Sequence, residues 1–204
     1  GCGGAPGGGG GGRGGATPLG PFVLPGTYTV TLVVDGKDVE SQPLKVSADA
    51  EVALTDAERK ASFDRAIEVH ELQRTATEVA GPIGRLNTRA GAAANELVSR
   101  KDVPSSVKSQ FEVFRKELTA VAAKFLTPPA FGGAATPNPS VMARIGQAKG
   151  GLMAGMQPTE TTLKAYEEAK AMTPAAVTEA RAIMEKAKAI SAMLAKHKIT
   201  LDIS

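Results

Sequence analysis

Hydrophobic and polar positions alternate from Phe22 onward, and Tyr28, Val30, Leu32 and then Val34 fall on one face of an extended run rich in β-branched residues. Asp35-Gly36 follows at once, a dipeptide that favours the positive φ angles of a type I′ turn, so Val39 to Val46 is expected to return as the second strand of a hairpin. Pro43 has no N–H to donate, which places that strand at an edge or makes it irregular there. A lone hairpin is marginal in water and is expected to dock on something else.

The period then changes. Thr55-Asp56-Ala57-Glu58 has the spacing of a capping box and predicts the start of a long helix. Its apolar and small residues recur at Phe63, Ala66, Ile67, His70, Ala76, Val79, Ile83, Leu86, Ala90, Ala93 and Leu97, near the 3.5-residue repeat of a bundle seam. Gly81-Pro82 removes a helical hydrogen bond and predicts a kink or short break near Ala80. Asp102-Val103-Pro104 marks a tight connection to a second, antiparallel helix carrying Val107, Phe111, Phe114, Leu118, Val121 and Phe125, which ends before Pro128-Pro129. Residues Thr127 to Pro137 read as a loop, and Asn138-Pro139 as the start of a shorter third helix with Val141, Met142, Ile145 and Leu152, weakened in its middle by Gly150-Gly151. Gln157-Pro158-Thr159 opens the last helix, which buries Leu163, Tyr166, Ala169, Val177, Ala180, Ile183, Met184, Ala187, Ile190 and Leu194. It is expected to continue, bent, through Thr173-Pro174. Lys198 to Ile203 reads as a short extended tail.

The predicted organisation is therefore α+β and mainly α. A glycine-rich linker, disordered or extended, occupies residues 1–20, a hairpin or partial immunoglobulin-like β element residues 21–50, an antiparallel bundle of about four helices residues 55–197, and a tail residues 198–204. Gly1 to Gly15 is almost all glycine, which costs too much backbone entropy to order and has little to bury. Such a start suggests that Gly1 is not the natural beginning.

Composition sharpens this picture in two respects. The 204 residues are 42% hydrophobic, yet aromatics make up 4%, tryptophan is absent, and much of the apolar count is alanine, so the helices are expected to enclose a thin core. The formal charge is +3 with no long block of either sign and no aromatic-lined basic stripe, which argues against nucleic-acid binding. Cys2 is the single cysteine, so neither an internal disulfide nor a thiolate metal site is expected. No run of about 18 apolar residues predicts a membrane span or a signal segment, and any export signal would lie upstream of Gly1.

Chemistry-bearing residues are sparse, and no catalytic, cofactor-binding or metal-binding residue is assigned. His70 lies on the first helical seam, where a hydrogen-bonded core or interface histidine is the commoner role, and His197 suits the negative end of the last helix. Glu167-Glu168, Glu112 with Glu117, and Asp56 with Glu58 fall where solvated faces or helix starts prefer acids, with Glu112 to Lys116 as a surface pair. The glycine runs lack the strand, helix and lysine of a phosphate-binding loop, and no serine sits in a nucleophile elbow.

The run Gly20-Pro21-Phe22-Val23-Leu24-Pro25-Gly26-Thr27-Tyr28-Thr29-Val30-Thr31-Leu32-Val33-Val34-Asp35-Gly36-Lys37 resembles the region after the propeller in bacterial secreted sortilin-type BNR-repeat proteins, often labelled glycosyl hydrolases. The likeness continues through the acidic start and Phe63 of the first helix, and through Asn138-Pro139 and Pro158-Thr159 to the last helix. Gly81-Pro82 and Thr173-Pro174 depart from the smoother helices expected of that family. The resemblance implies an extracellular or periplasmic protein with β-propellers upstream of Gly1, whose hydrolytic or ligand sites belong to those propellers. This chain would then be a non-catalytic structural and interaction module with no cofactor, its partner the upstream propeller or another protein subunit. A stand-alone helical partner-binding protein, or one that self-associates as a homo-oligomer through the first-helix seam, is the alternative. A carbohydrate hydrolase in its own right is a further one.

Overall fold

The computed structural model describes residues 20–126 and 140–203. Cys2, nearly all of the expected linker, the Thr127 to Pro137 loop and Asn138-Pro139 lie outside the described residues. Two antiparallel strands, β1 (Gly26–Val34) and β2 (Lys37–Val46), precede four helices: α1 (Asp56–Ser99), α2 (Ser105–Ala123), α3 (Val141–Leu152) and α4 (Glu160–Ala195). The chain is thus mainly α with a small β element, as the hydrophobic pattern predicts.

The hairpin closes as its sequence dictates. Asp35 and Gly36 take φ of 49° and 75° between the facing residues Val34 and Lys37, which is the two-residue turn that matches strand twist. The ladder then slips by one residue: Leu32 faces Glu40 and Val33 faces Asp38, so Val39 is the extra residue of a β-bulge.

Helix starts are fixed by side-chain caps. Thr55 Oγ1 accepts from the Glu58 amide at 3.2 Å while the Glu58 carboxylate accepts from the Thr55 amide at 2.8 Å, completing the expected capping box. Ser140 and Thr159 cap α3 and α4 by accepting from the amides of Ala143 and Thr162. Among the described residues the third helix therefore starts from Ser140. Gly150-Gly151 lies in its last turn and not its middle.

Both long helices run through their prolines. α1 is continuous through Gly81-Pro82, so of the kink or short break expected near Ala80 the break does not occur, and α4 continues through Pro174. One missing backbone bond among dozens does not end a helix whose buried face continues on either side. That face in α1 is Ala66, Val69, Ala76, Val79, Ile83, Leu86, Ala90, Ala93 and Leu97, spaced alternately by three and four residues from Ala76 onward. At its first turns the expectation was misplaced. Val69 is buried, Phe63 and His70 are only half-buried, and Ile67 is exposed.

Cross-helix pairs define the arrangement. α4 lies parallel to α1, with Tyr166 and Lys170 reaching Glu68, Arg181 reaching Glu78, and Arg100 reaching the His197 carbonyl. α2 runs back along the second half of α1 and α3 along the first half, and the Val141 amide donates to the Lys124 carbonyl at 2.7 Å, joining α2 to α3 nearly end to end. The four helices therefore build a bundle three helices thick, whose returning strut is α2 followed by α3.

The C-terminal segment is a structural part and not a free tail. Lys198 has a φ of 60°, its amide donates to the Ala195 carbonyl and that of Ile199 to the Leu194 carbonyl, the two bonds of a Schellman cap. Ile199 and Leu201 are then buried at 1% and 2% exposure.

Close packing of α3 on α4 needs a glycine. A Cβ at Gly151 would fall within 3.0 Å of three atoms of the Thr162 side chain, whereas one at Gly146 meets nothing within 4 Å. Gly151→Ala is expected to lower stability by about 1–3 kcal/mol through overpacking, despite gaining about 1 kcal/mol of helix propensity. Gly146→Ala, with the propensity gain alone, is expected to raise it, and paired denaturant titrations of the two variants read both signs.

Candidate functional site

Two kinds of feature stand out from the bundle: polar clusters on its surface and the bare hairpin. The polar residues singled out from the sequence are dispersed and do not converge. His70 is half-buried and its Nδ1 lies 3.3 Å from Lys149 Nζ, which also donates to Gln73 Oε1 at 2.7 Å. His197 sits just after α4 and its carbonyl accepts from Arg100 Nη2 at 2.9 Å. Glu168 pairs with Arg144 of α3, and Glu117 with Lys186 of α4. Glu112 pairs with Arg115 one turn on, not with the expected Lys116, because the shorter offset brings the guanidinium against both carboxylate oxygens.

Sequence spacing did not reveal the cluster of Glu68, Tyr166 and Lys170. The Tyr166 hydroxyl donates to Glu68 Oε2, and Lys170 Nζ pairs with Glu68 Oε1 at 2.8 Å while lying 5.6 Å over the tyrosine ring. Hydrogen bonds from Lys170 and then Tyr166 hold the Glu68 carboxyl below its ordinary range. Burial, then the bond to Glu68, pushes the Tyr166 hydroxyl up. Only the four-residue offset of Tyr166 and Lys170 was visible locally, since Glu68 is 98 residues from Tyr166. Every polar atom here faces a partner, and the cluster ties α1 to α4. Burial lowers the Lys149 ammonium from its ordinary value beside His70. Among the described residues no group of three His, Cys, Asp or Glu side chains is placed to hold a metal ion, and no helix is long and apolar enough to cross a membrane.

The hairpin is the feature whose groups remain unsatisfied. Register puts Tyr28, Val30 and Leu32 with Leu44, Gln42 and Glu40 on one face, and Thr27, Thr29, Thr31, Ser41, Pro43 and Lys45 on the other. Such alternation belongs to a sheet with one covered and one solvated face. Yet Val30, Leu32 and Leu44 are 54%, 55% and 50% exposed, and neither strand packs on a helix. Hairpin and bundle are joined by residues 47–55, where Arg59 of α1 donates to the Val52 carbonyl at 2.8 Å, and by the lead-in Pro21–Pro25. It lies over Phe63 and Ala66 of α1 and Leu152 at the end of α3 around a cleft of about 120 Å³, and its Leu24 carbonyl accepts from the Tyr28 hydroxyl at 2.6 Å. From Ala76 to Leu97 the seam of α1 is part of the core that α2, α3 and α4 complete.

No known protein family matches the chain, and no curated protein or solved structure is found to be similar to it.

A titration prediction follows from the α1–α2 connection. Arg100 Nε and Nη2 donate to the two oxygens of Asp102 at 2.8 and 2.7 Å, which lowers the Asp102 carboxyl from its ordinary 3.8 to about 2. A depressed carboxylate stabilises the fold fully above its unfolded value and loses that contribution as pH falls through the folded one. Stability is therefore expected to drop between about pH 4 and pH 2. Asp102→Asn should flatten that part of the curve in urea melts collected across the range.

Proposed function

We propose that this chain is a non-catalytic structural and interaction module of a larger secreted protein, with the bundle as a rigid base and the hairpin as the element that engages an upstream β domain. The observation that carries the reading is the bare apolar face of β1 and β2. A two-stranded ribbon whose one side carries Tyr28, Val30, Leu32 and Leu44, beside Gln42 and Glu40 of β2, leaves about half of each aliphatic side chain open to solvent. Exposed aliphatic side chains gathered on one element mark a contact surface more often than scattered ones do. The bundle supports a scaffold role: its core is continuous from Ala66 to Leu201, and its polar side chains pair across helices. The resemblance of residues 20–37 to the segment after bacterial sortilin-type propellers supplies the kind of parent, a BNR-repeat β-propeller protein outside the cytoplasm.

The purified chain is expected to bind an apolar fluorescent dye through its hairpin. Val30→Lys with Leu32→Lys should reduce that fluorescence severalfold, while the thermal transition of the helices stays in place. In its native source, an antibody to the bundle should detect a protein far heavier than 20.9 kDa. A native species of only 20.9 kDa, or glycan hydrolysis by the purified chain that a single Asp or Glu substitution abolishes, overturns the reading.

A further inference from the structure

Charge is spread along the sequence without a block of either sign, and the fold gathers part of it at one end of the bundle. Arg100, just past α1, donates through Nη2 to the His197 carbonyl at 2.9 Å, and Lys108 Nζ of α2 donates to the Arg100 carbonyl at 2.6 Å. These two bonds hold the end of α1, the start of α2 and the end of α4 together, and with them Lys101, Lys108, Lys196 and Lys198. The acids of residues 96–108 and 195–200 are Glu96 and Asp102, and both pair with Arg100. Five cations against two anions leave a surplus of three there, as large as the formal +3 of the whole chain.

Helix electrostatics account for part of this surplus and leave the rest. Lys101, Lys196 and Lys198 follow the C-termini of α1 and α4, where a cation is favourable. α2 starts at the same end with no acid in its first turn and with Lys108 as its fourth residue, the sign that a helix start disfavours. Lys101, Lys196 and Lys198 are exposed, and among the described residues none of them has an ion-pair partner. The lysines come from three segments across the end of a bundle whose helices are each about 10 Å wide, so they form a face and not a line. Val98, three residues before Lys101, is 84% exposed.

We propose that this end of the bundle docks on an anionic lipid surface, with the four lysines against its phosphate headgroups and Val98 entering the interface. A plane of negative charge meets all four lysines at once, whereas a single acidic chain crossing the end would reach fewer. Each lysine held near such a surface strengthens adsorption about fivefold, which gives reversible, salt-sensitive docking and not an anchor. The face is remote from the hairpin: Phe63, beneath the lead-in, and Arg100 are about 55 Å apart along α1. The docking surface goes beyond the reading of the hairpin as the contact element and does not depend on it.

The purified chain is sedimented with vesicles of phosphatidylcholine, either alone or with about one-third phosphatidylglycerol. Adsorption is expected on the anionic vesicles only, and is expected to fall as salt rises from about 0.05 to 0.3 M. Lys101→Gln with Lys196→Gln and Lys198→Gln should weaken it about tenfold or more. Lys45→Gln with Lys116→Gln and Lys164→Gln removes the same net charge elsewhere and should change it less than about twofold. All six lysines are exposed, so both variants should keep the helical melting transition of the parent, and Lys108 stays in place because it holds the Arg100 carbonyl. Equal losses in the two variants overturn the proposal, because net charge alone then explains adsorption. Failure of the parent to adsorb, or equal adsorption on neutral vesicles, overturns it as well. Displacement by inorganic phosphate at constant ionic strength assigns the face to a soluble anion and sinks the lipid surface.

Discussion

The parallel course of two long helices is the constraint on which the rest of the structure depends. The buried faces of α1 and α4 are rich in small side chains: Ala66, Ala76, Ala90 and Ala93 on one, and Ala165, Ala169, Ala176, Ala180 and Ala187 on the other, all buried at 3% exposure or less. Alanine lets backbones approach, and it favours the helical state, but each residue removes little apolar area from water. The deficit is met by length and by the third strut. α1 and α4 span 44 and 36 residues, and α2 contributes Phe111, Phe114 and Leu118, all at 0% exposure, while α3 contributes Val141 and Ile145. Phe125, just beyond α2, is buried too, and the Phe111 and Phe114 rings lie 6.2 Å apart between their centres. A core of this kind tolerates few aromatics, because one ring layer already fills the space that α2 opens.

Parallel neighbours cannot be joined by a tight turn, so the chain must travel back the full length of the pair before α4 begins. It does so in two pieces, α2 and α3, coupled by the Val141–Lys124 backbone bond. At the end of α2, Lys124 pairs with Glu179 of α4, and a Cβ added at Gly84 of α1 would meet Leu126 at 3.6 Å. Pro82 and Pro174 each remove one backbone hydrogen bond from the interior of a long helix, and both helices continue past them. Where α3 instead presses on α4, space is so short that Gly151 stands against Thr162 and no side chain fits between them.

How much of this was legible in the sequence divides along locality. The Asp35-Gly36 turn, the Thr55 capping box, the start at Thr159 and the continuity of α4 through Pro174 are decided by neighbours within a few residues, and each was read correctly. The phase of α1 over its first turns was not. Ile67 and His70 match a helical repeat as well as Val69 does, and only the position of α3 and α4 decides which of them is covered. The unbroken helix at Pro82, the burial of Ile199 and Leu201, and the bulge at Val39 likewise depend on contacts across the fold. Lys198 hides a C-cap that glycine would have announced, because the cap is enforced by the burial of Ile199 and not by the residue's own preference. At the candidate contact site the alternation of Tyr28, Val30 and Leu32 with threonines was plain; that the face is left bare was not, since no pattern states what a chain leaves uncovered.

Hairpin and bundle answer opposite requirements, and that contrast gives the architecture its direction. The bundle satisfies its buried side-chain polar atoms internally; among the described residues none is left without a hydrogen-bond partner. The hairpin spends its register on an amphipathic pattern that nothing in the described chain uses, and its protected and unprotected edges differ although both are solvated. Solvation alone gives no reason for one strand to collect charges, a bulge and a proline while its partner has none. The Pro21–Pro25 lead-in lines a cleft with Phe63 and Ala66 of α1 and Leu152 of α3, and the Tyr28 hydroxyl donates back to the Leu24 carbonyl at the start of the hairpin.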